Sequence, residues 1–326
     1  MLKAPFPWFG GKSRAAPLIW ARLGTVANYV EPFAGSLAVL LSNPSPAKTE
    51  TVNDLDGHLS NFWRSLAAYP ADVHRAADWP VNEADLHARH AWLVEQRGEL
   101  TERLMGDPTW CDPHLAGWWV WGISAWIGSG WCSGKGPWTR HDGRLMKGNA
   151  GQGVNRKLPH LGDAGRGVNR NLPHLGNAGR GVNRKLDSER GWDAEALAAR
   201  LREVRVACGD WSRICGPSVL RRGSPCGVVL DPPYDDGVDV YAAQNRVSAE
   251  VREWAKGAGR DPKLRIALCG YSGEHDELAD WGWSVEAWKA HGGYGNAGNG
   301  DGRANSARER IWFSPGCLPA QTEGLL

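Results

Sequence analysis

No Cys-x-x-Cys pair occurs among the seven cysteines of this 326-residue chain, at positions 111, 132, 208, 215, 226, 269 and 317. Structural zinc sites draw their thiolates from closely spaced pairs, so no metal is expected. An odd, dispersed set also argues against a disulfide framework and for reduced thiols in a cytoplasm. No apolar run approaches the roughly 20 residues that a bilayer-spanning helix needs; the longest lies between Leu115 and Ile127. The opening residues Met1 to Pro7 lack the apolar core and cleavage site of a signal peptide, which again points to a cytoplasmic location and no membrane. The 42 Gly show no three-residue period, which excludes a collagen-like rod. A large excess of one charge is missing too: 38 Lys and Arg face 36 Asp and Glu, a net +2. Phe and Tyr are few, five and six, whereas Trp reaches 19. A GC-rich coding sequence would explain the abundance of Ala, Gly, Arg and Trp as well as any function would. With 42% apolar and 23% charged residues the chain is an ordinary globular one, long enough for one large domain or two smaller ones.

The near-neutral total hides a strong local bias. Residues 148–186 hold a tandem repeat of period 14: GNAGQGVNRKLPHL, GDAGRGVNRNLPHL and a truncated GNAGRGVNRKL. Seven Lys and Arg there oppose only Asp163, a net +6 that leaves the rest of the chain at −4. The unit is shorter than the roughly 20–45 residues of a packed solenoid repeat. Its glycines and sparse apolar residues describe a loop array. Such a basic surface can contact phosphates, displacing condensed counterions. It is equally what a tandem duplication in a tolerant surface loop would leave.

On either side of the repeat the pattern is α/β. Asn28–Pro32 reads as a short strand, followed by a helix start over Ser36–Leu41, and Glu50–Asn53 reads as a second strand ending at Asp54. Helical spacing runs over 59–77 and 83–105. Asp193 is placed to cap a helix from Ala194 to Glu203. Strands recur at Val204–Cys208, Gly227–Leu230 and Leu264–Cys269, with a helix over 248–256 between the last two. Trp283–Trp288 and Arg310–Phe313 suggest a closing antiparallel pair. Strands alternating with helices imply a parallel sheet covered on both faces.

The run Val228-Val229-Leu230-Asp231-Pro232-Pro233-Tyr234 carries the most chemistry. A buried strand ends in a carboxylate, and open α/β sheets bind ligands just past their carboxyl strand ends. Two prolines withdraw two N–H donors, so Asp231 and the Pro232 carbonyl remain as acceptors beside an aromatic ring. That set suits a planar substrate with an exocyclic NH₂. Taken alone, Asp-Pro-Pro is also an ordinary turn. Three more segments strengthen the reading. Trp8-Phe9-Gly10-Gly11-Lys12-Ser13 superficially echoes a phosphate loop, but the GxxxxGK[ST] spacing is absent. Glu31-Pro32-Phe33-Ala34-Gly35-Ser36 is an acidic strand-to-helix turn. Asn53-Asp54 then places an acid about 20 residues later, where nucleotide-binding sheets bond ribose hydroxyls.

Together these segments resemble the DNA adenine-N6 methyltransferase family, in its Dam-like (D12 class) branch. The family's W-x-G-G-K is matched by Trp8, Gly10, Gly11 and Lys12, and its E-P-F-x-G-x-G by Glu31, Pro32, Phe33 and Gly35. Leu37 stands where the family has the next Gly. Asn53-Asp54 matches its N-D element, Asp231 to Tyr234 its D-P-P-Y, and Asp210 its further donor-binding acid. The resemblance covers about residues 5–60 and 200–315. It implies a Rossmann-like methyltransferase sheet with helices on both faces, S-adenosylmethionine as methyl donor and double-stranded DNA as substrate. It also implies that Trp8, Gly10, Gly11, Lys12, Glu31, Pro32, Phe33, Gly35, Asp54, Asp210 and Asp231 hold the donor. Asp231, Pro232, Pro233 and Tyr234 would form the catalytic segment, with N6 bonded to Asp231 and the Pro232 carbonyl and Tyr234 stacked on a flipped adenine. Residues 1–59 and 191–326 would then be the catalytic domain and 60–190 an inserted, largely helical and loop recognition lobe.

In that lobe the Trp118–Trp126 segment is expected to be core, while Trp131, Lys135, Arg156, Arg166, Arg170, Arg180 and Arg184 are candidates to contact DNA. The chain is expected to act as a monomer. Two rival readings keep the same residues: methylation of another exocyclic amine, cytosine N4 or an RNA base, and a DNA-binding protein that has lost catalysis. Pro225-Cys226 offers the dipeptide of a C5-cytosine nucleophile, but a core Cys at the start of a strand is the simpler account.

Overall fold

A computed structural model describes residues 2–6, 8, 10–126, 131–132, 138–141, 144–147, 193–234, 242–288 and 308–320, with 138–141, 144–147 and 242–245 described as backbone only. In chain order the elements are α1 (Ala16–Leu23), β1 (Asn28–Glu31), α2 (Ala38–Leu41), β2 (Thr49–Asp54), α3 (Gly57–Ala68), α4 (Pro70–Ala77), α5 (Glu83–Gly106), α6 (Pro113–Ala125), β3 (Trp138–His141), β4 (Arg144–Lys147), α7 (Ala194–Leu201), β5 (Val204–Cys208), α8 (Pro217–Leu220), β6 (Cys226–Leu230), α9 (Ala242–Ala258), β7 (Leu264–Tyr271), β8 (Ser284–Ala287) and β9 (Glu309–Phe313). They form two units, one of residues 1–3, 8–55 and 203–326, the other of 4–7 and 56–202.

The first unit is built on a seven-stranded sheet of order β5-β2-β1-β6-β7-β9-β8. The five strands from β5 to β7 are parallel, and β9 runs antiparallel to both β7 and β8. This is the Rossmann-like methyltransferase sheet expected from the sequence. The closing antiparallel pair forms as well, with β9 lying between β7 and β8. Central parallel strands are buried on both faces and so read as continuous apolar runs; every residue of β1 and β6 is buried. Side chains alternate between faces along a strand. At Gly227 the space a Cβ would take meets Leu23 at the end of α1, whereas the next residue, Val228, clusters with Val251 and Ala255 of α9. The two helices therefore cover opposite faces.

Strand order reverses at β1 and β6. From β1 the chain moves outward to β2 and β5, and from β6 it moves the other way to β7. At such a switch point the loops leave the carboxyl ends of neighbouring strands in opposite directions, opening a crevice. The register Val30↔Val228 puts Glu31 and Asp231 at that crevice.

The second unit is helical. Asp56, Asn82, Asp112 and Asp193 cap α3, α5, α6 and α7 by accepting backbone N–H groups of the first turn, the last as expected. The single helix expected over 59–77 is two, because Pro70 has no N–H to continue α3 and instead opens α4. Trp119, Val120 and Trp121 of α6 are buried, with Phe6, Phe62 and Trp63 in edge and tilted ring contacts around Trp119 and one another. Gly117 lets α6 approach α4, since a Cβ there would lie 2.4 Å from Ala76. The Arg89 guanidinium is enclosed by the Trp79, Trp118 and Trp121 rings at 4.4–5.0 Å. Leu197, Ala198 and Leu201 of α7 are buried, and the helix packs on α3 and α4. No described helix is long and apolar enough to cross a membrane.

Candidate active site

Lys12, Glu31, Asp54, Asp210 and Asp231 all belong to the first unit; the last four lie at or just past the carboxyl ends of β1, β2, β5 and β6, and Lys12 precedes α1. One turn follows β1. Gly35 N donates to Asp54 Oδ2 at 3.0 Å, and Ala34 N to the Asn53 carbonyl at 2.8 Å. Asn53 Nδ2 donates to the carbonyls of Pro32 (3.1 Å) and Gly209 (2.9 Å). Gly209 N returns a bond to the Asp54 carbonyl at 3.0 Å. The Asn53-Asp54 pair thus ties the ends of β1 and β5 to β2. Asp54, which the sequence places where ribose hydroxyls are bonded, here accepts from the turn's Gly35 N–H.

Gly35 is needed for two reasons. Its φ is +47, and a Cβ would come within 2.7 Å of Trp8 Nε1. The Trp8 indole therefore lies flush against the turn, and Gly11 approaches the Ser36 hydroxyl. The departure at Leu37 does not change the path of the chain. Leu37 itself adopts the left-handed conformation (φ 54, ψ 26) that favours glycine, and its side chain is fully buried. Phe33 stacks on Trp211 at 6.2 Å, and Asp210 Oδ1 accepts from Ser212 N at 2.9 Å and from the Ser212 hydroxyl, capping a short 3₁₀ helix over Trp211–Ile214.

Asp231-Pro232-Pro233-Tyr234 leaves β6 without regular structure. Lys12, 5% exposed, reaches across from the Gly10-Gly11 turn. Its Nζ lies 2.8 Å from Asp231 Oδ1 and donates to the Gly10 carbonyl at 2.8 Å. The Tyr234 hydroxyl donates to the same Asp231 Oδ1 at 3.0 Å. Both contacts converge on Oδ1, so among the described residues Oδ2 keeps its lone pairs for a ligand. The Lys12 ammonium also lies between the Tyr234 and Trp288 rings, 5.1 and 5.7 Å from their centroids. Tyr271 packs on Tyr234 in a T-shaped contact at 4.7 Å.

The electrostatics follow from burial and neighbours. Burial opposes the charge on Lys12, but Asp231, Cys269 and Glu309 outweigh it and raise its pKa. Burial pushes the Glu31 carboxyl up to about 8, with nearby Asp231 adding to the effect and the Tyr29 hydroxyl, 2.9 Å away, opposing it. Burial also raises the Tyr234 phenol well above its ordinary value, and Asp231 raises it further. The site thus holds the acids Asp54, Asp210, Asp231 and Glu309 beside a Glu31 that keeps its proton up to about pH 8, with Lys12 the buried cation among them. A cationic ligand suits that charge balance.

The described residues bring together the whole sequence-derived set from Trp8 to Asp54 with Asp210 and Asp231–Tyr234. Sequence reasoning missed Trp288, Tyr271 and Glu309. A glutamate opening the Arg310-Ile311-Trp312-Phe313 strand was the available signal for the last. Trp131 is differently placed from the expectation that it could approach DNA. Its ring lies over Gly122, where a Cβ would be 1.9 Å away, and its N–H donates to the Trp119 carbonyl at 3.1 Å. One part of its indole is thereby packed, and the residue remains partly exposed. Lys135 and the repeat residues Arg156, Arg166, Arg170, Arg180 and Arg184 lie outside the described residues. The described residues contain no group of three side chains suited to a metal ion.

Residues 8–94 match the family model of the D12 class N6 adenine-specific DNA methyltransferases. The matched segment contains the Trp8–Lys12, Glu31–Gly35 and Asn53-Asp54 elements. No curated protein matches the chain.

Proposed function

We propose that the chain is an S-adenosylmethionine-dependent DNA methyltransferase acting on N6 of an adenine flipped out of the duplex. The observation that carries this reading is the Asp231 carboxylate, fixed at the switch point by Lys12 and Tyr234 through one oxygen and open at the other. The residues present fit the donor. Trp8, Gly10, Gly11, Glu31, Pro32, Phe33, Gly35, Asp54 and Asp210 would hold it, and an acid-rich pocket suits a cation. Bound there, S-adenosylmethionine supplies an electrophilic methyl group on sulfur.

Asp231 Oδ2 and the Pro232 carbonyl accept the two N6 hydrogens. The N6 lone pair of adenine is delocalised into the ring and a poor nucleophile. Two acceptors favour a tetrahedral nitrogen, which localises that pair and aims it at the methyl carbon. With a donor held by these residues, its sulfonium would supply the methyl group, the C–S electrons remaining on sulfur, and the proton that N6 then sheds would pass to Asp231 or water. Positive charge develops on N6, and the negative Asp231 stabilises it, the kind of preorganised electrostatic stabilisation that is often the largest contribution to catalysis. Holding both substrates in line supplies much of the rest. Unstacking the base costs a few kcal/mol. The Tyr234 ring beside the acceptors offers a surface on which it can stack, at roughly 1–3 kcal/mol.

The second unit together with the repeat forms the target-recognition part in this reading. The basic repeat grips phosphates, which positions the enzyme without specifying sequence. A cytoplasmic monomer that needs no metal completes the proposal. The test is to express the chain in a methylation-free host and read N6-methyladenine at single-base resolution. Methylated adenines within one short motif are expected. Donor binding without any N6-methyladenine would move the reaction to another amine or to RNA, and no donor binding would leave a DNA-binding protein without catalysis.

A further inference from the structure

Arg308 stands one residue before β9, at the carboxyl edge of the sheet, and its backbone carbonyl accepts from Ser272 N at 2.7 Å just past the end of β7. The residue is exposed. Its guanidinium lies over the Tyr271 ring, 4.8 Å from the centroid. Tyr271 packs on Tyr234 at 4.7 Å, and the Tyr234 hydroxyl donates to Asp231. Two stacked rings thus connect an exposed cation to the carboxylate at the centre of the site. Other exposed arginines, Arg75 and Arg246, are ion-paired with Asp72 and Glu250. Among the described residues no carboxylate pairs with the Arg308 guanidinium. A cation–π contact occupies the face of a guanidinium and leaves the N–H groups on its edge free, the fork that bonds a phosphate through two parallel hydrogen bonds.

We propose that Arg308 clamps the DNA phosphate beside the flipped adenine. The inference rests on the methyltransferase reading and adds to it the contact that holds the extruded nucleotide. With the base stacked on Tyr234 and its N6 on Asp231, the sugar and phosphate leave the pocket on its exposed side, where Tyr271 carries Arg308. The pocket acids Asp54, Asp210, Asp231 and Glu309 repel a phosphate diester, so a cation is needed at the rim. Lys12 cannot supply it, because it is buried and held by Asp231 and the Gly10 carbonyl. The Arg310 side chain is turned back onto the Glu309 carbonyl. The Tyr271 ring also fixes the Arg308 guanidinium before DNA arrives, so less side-chain freedom is lost on binding. A phosphate held there opposes return of the base to the duplex, whose cost of unstacking has to be met while the base is out. Arg308 therefore acts on base extrusion as well as on affinity.

The test uses the full-length protein and duplexes carrying a motif that the wild type methylates, with one neutral methylphosphonate placed immediately 5′ or 3′ of the target adenine. For the wild type, one of the two replacements is expected to weaken DNA binding about 10- to 100-fold, the scale of a charge-assisted hydrogen-bonded pair. Arg308→Gln should bind the unmodified duplex with a similar loss, flatten the slope of log affinity against log salt by about 0.9, and be indifferent to that same methylphosphonate. Its donor affinity should be unchanged, and the fluorescence of a 2-aminopurine in place of the target adenine should fall in its DNA complex. Arg308→Lys should keep the salt slope and recover part of the affinity. Arg260→Gln is the control. Arg260 is exposed and stacked on Trp281 at 4.3 Å, but it precedes β7 at the opposite edge of the sheet, so its loss should leave DNA binding as it is. Losses from Arg308→Gln and the methylphosphonate that simply multiply, or a wild type indifferent to both flanking phosphates, would overturn the inference while leaving the methyltransferase reading intact. Equal losses in Arg308→Gln and Arg260→Gln would reduce Arg308 to one charge in a general field and overturn it as well. A wild type that transfers no methyl group to DNA sinks the reading and the inference together.

Discussion

Lys12 and Asp231, 219 positions apart in the sequence, form an ion pair of 2.8 Å at the carboxyl edge of the sheet. The pair joins the Gly10-Gly11 turn to the end of β6 and sets which oxygen of Asp231 remains available. Removing the carboxylate therefore removes both the proposed acceptor for N6 and the counter-charge for a buried ammonium. Asp231→Ala and Asp231→Asn are expected to lower kcat by at least about 100- to 1,000-fold, the scale seen when one preorganised electrostatic group is lost. DNA affinity should change little, because the groups proposed to contact phosphates are Arg308 and those of the repeat. Methyl transfer from a radiolabelled donor, measured beside a DNA-binding titration, separates the two effects. Retained turnover in Asp231→Asn would sink the mechanism.

Glu31 makes the stability of the fold depend on pH. Its carboxyl has an ordinary pKa of 4.5 and is pushed up to about 8 by burial in the native state. Between those values the unfolded chain has lost a proton that the native chain still holds. Stability from this group is therefore full below about pH 4.5 and declines as pH rises through about 8, by at most about 1.4 kcal/mol per pH unit. Glu31→Gln, which cannot ionise, should be more stable than the wild type near pH 8 and should lose that advantage near pH 4.5. Urea unfolding at several pH values measures the difference. A constant difference across the range would show that the buried carboxyl is already ionised when folded.

Much of the site was legible because its parts sit where strands end. An apolar run closing in Asp231, an acidic turn with Gly35 and the Asn53-Asp54 pair each carry a local signal, and the sheet order places them side by side. Tyr271 and Trp288 carried no such signal and Glu309 only a faint one, since what places them is the pairing of β9 with β7 and β8, a relationship between segments distant in the sequence. The packing of Trp131 was not legible, because its glycine-rich neighbourhood resembles an exposed loop, whereas Gly122 on the preceding helix provides a recess for its ring. The break at Pro70 was readable from proline chemistry, and helical spacing on both sides of it masked the signal.

Leu37 sets two costs against each other. The left-handed conformation of a non-glycine residue costs roughly 1–2 kcal/mol, and glycine would relieve it. The Leu37 side chain is also fully buried, and truncating such a leucine costs about 2–5 kcal/mol. Lost burial outweighs relieved strain, so Leu37→Gly is expected to destabilise the chain by about 1–3 kcal/mol. The urea midpoint should fall with an unchanged slope. A rise in the midpoint would mean that the turn is strained enough to outweigh its packing.

The basic repeat is tested through salt. Each Lys or Arg that neutralises a phosphate of duplex DNA adds about 0.9 to the slope of log affinity against log salt concentration. Arg166, Arg170, Arg180 and Arg184 carry four of the seven positive charges in the repeat. Replacing all four with Gln should weaken DNA binding and flatten the slope by up to about 3.6 if each meets a phosphate. The loss should be similar on unrelated sequences, because phosphate contacts position a protein without reading bases. Binding titrations between low and moderate salt, on a methylated-motif duplex and a scrambled one, give both quantities. A weaker affinity confined to the motif duplex would instead make these arginines readers of base edges, and an unchanged slope would reduce the repeat to a spacer.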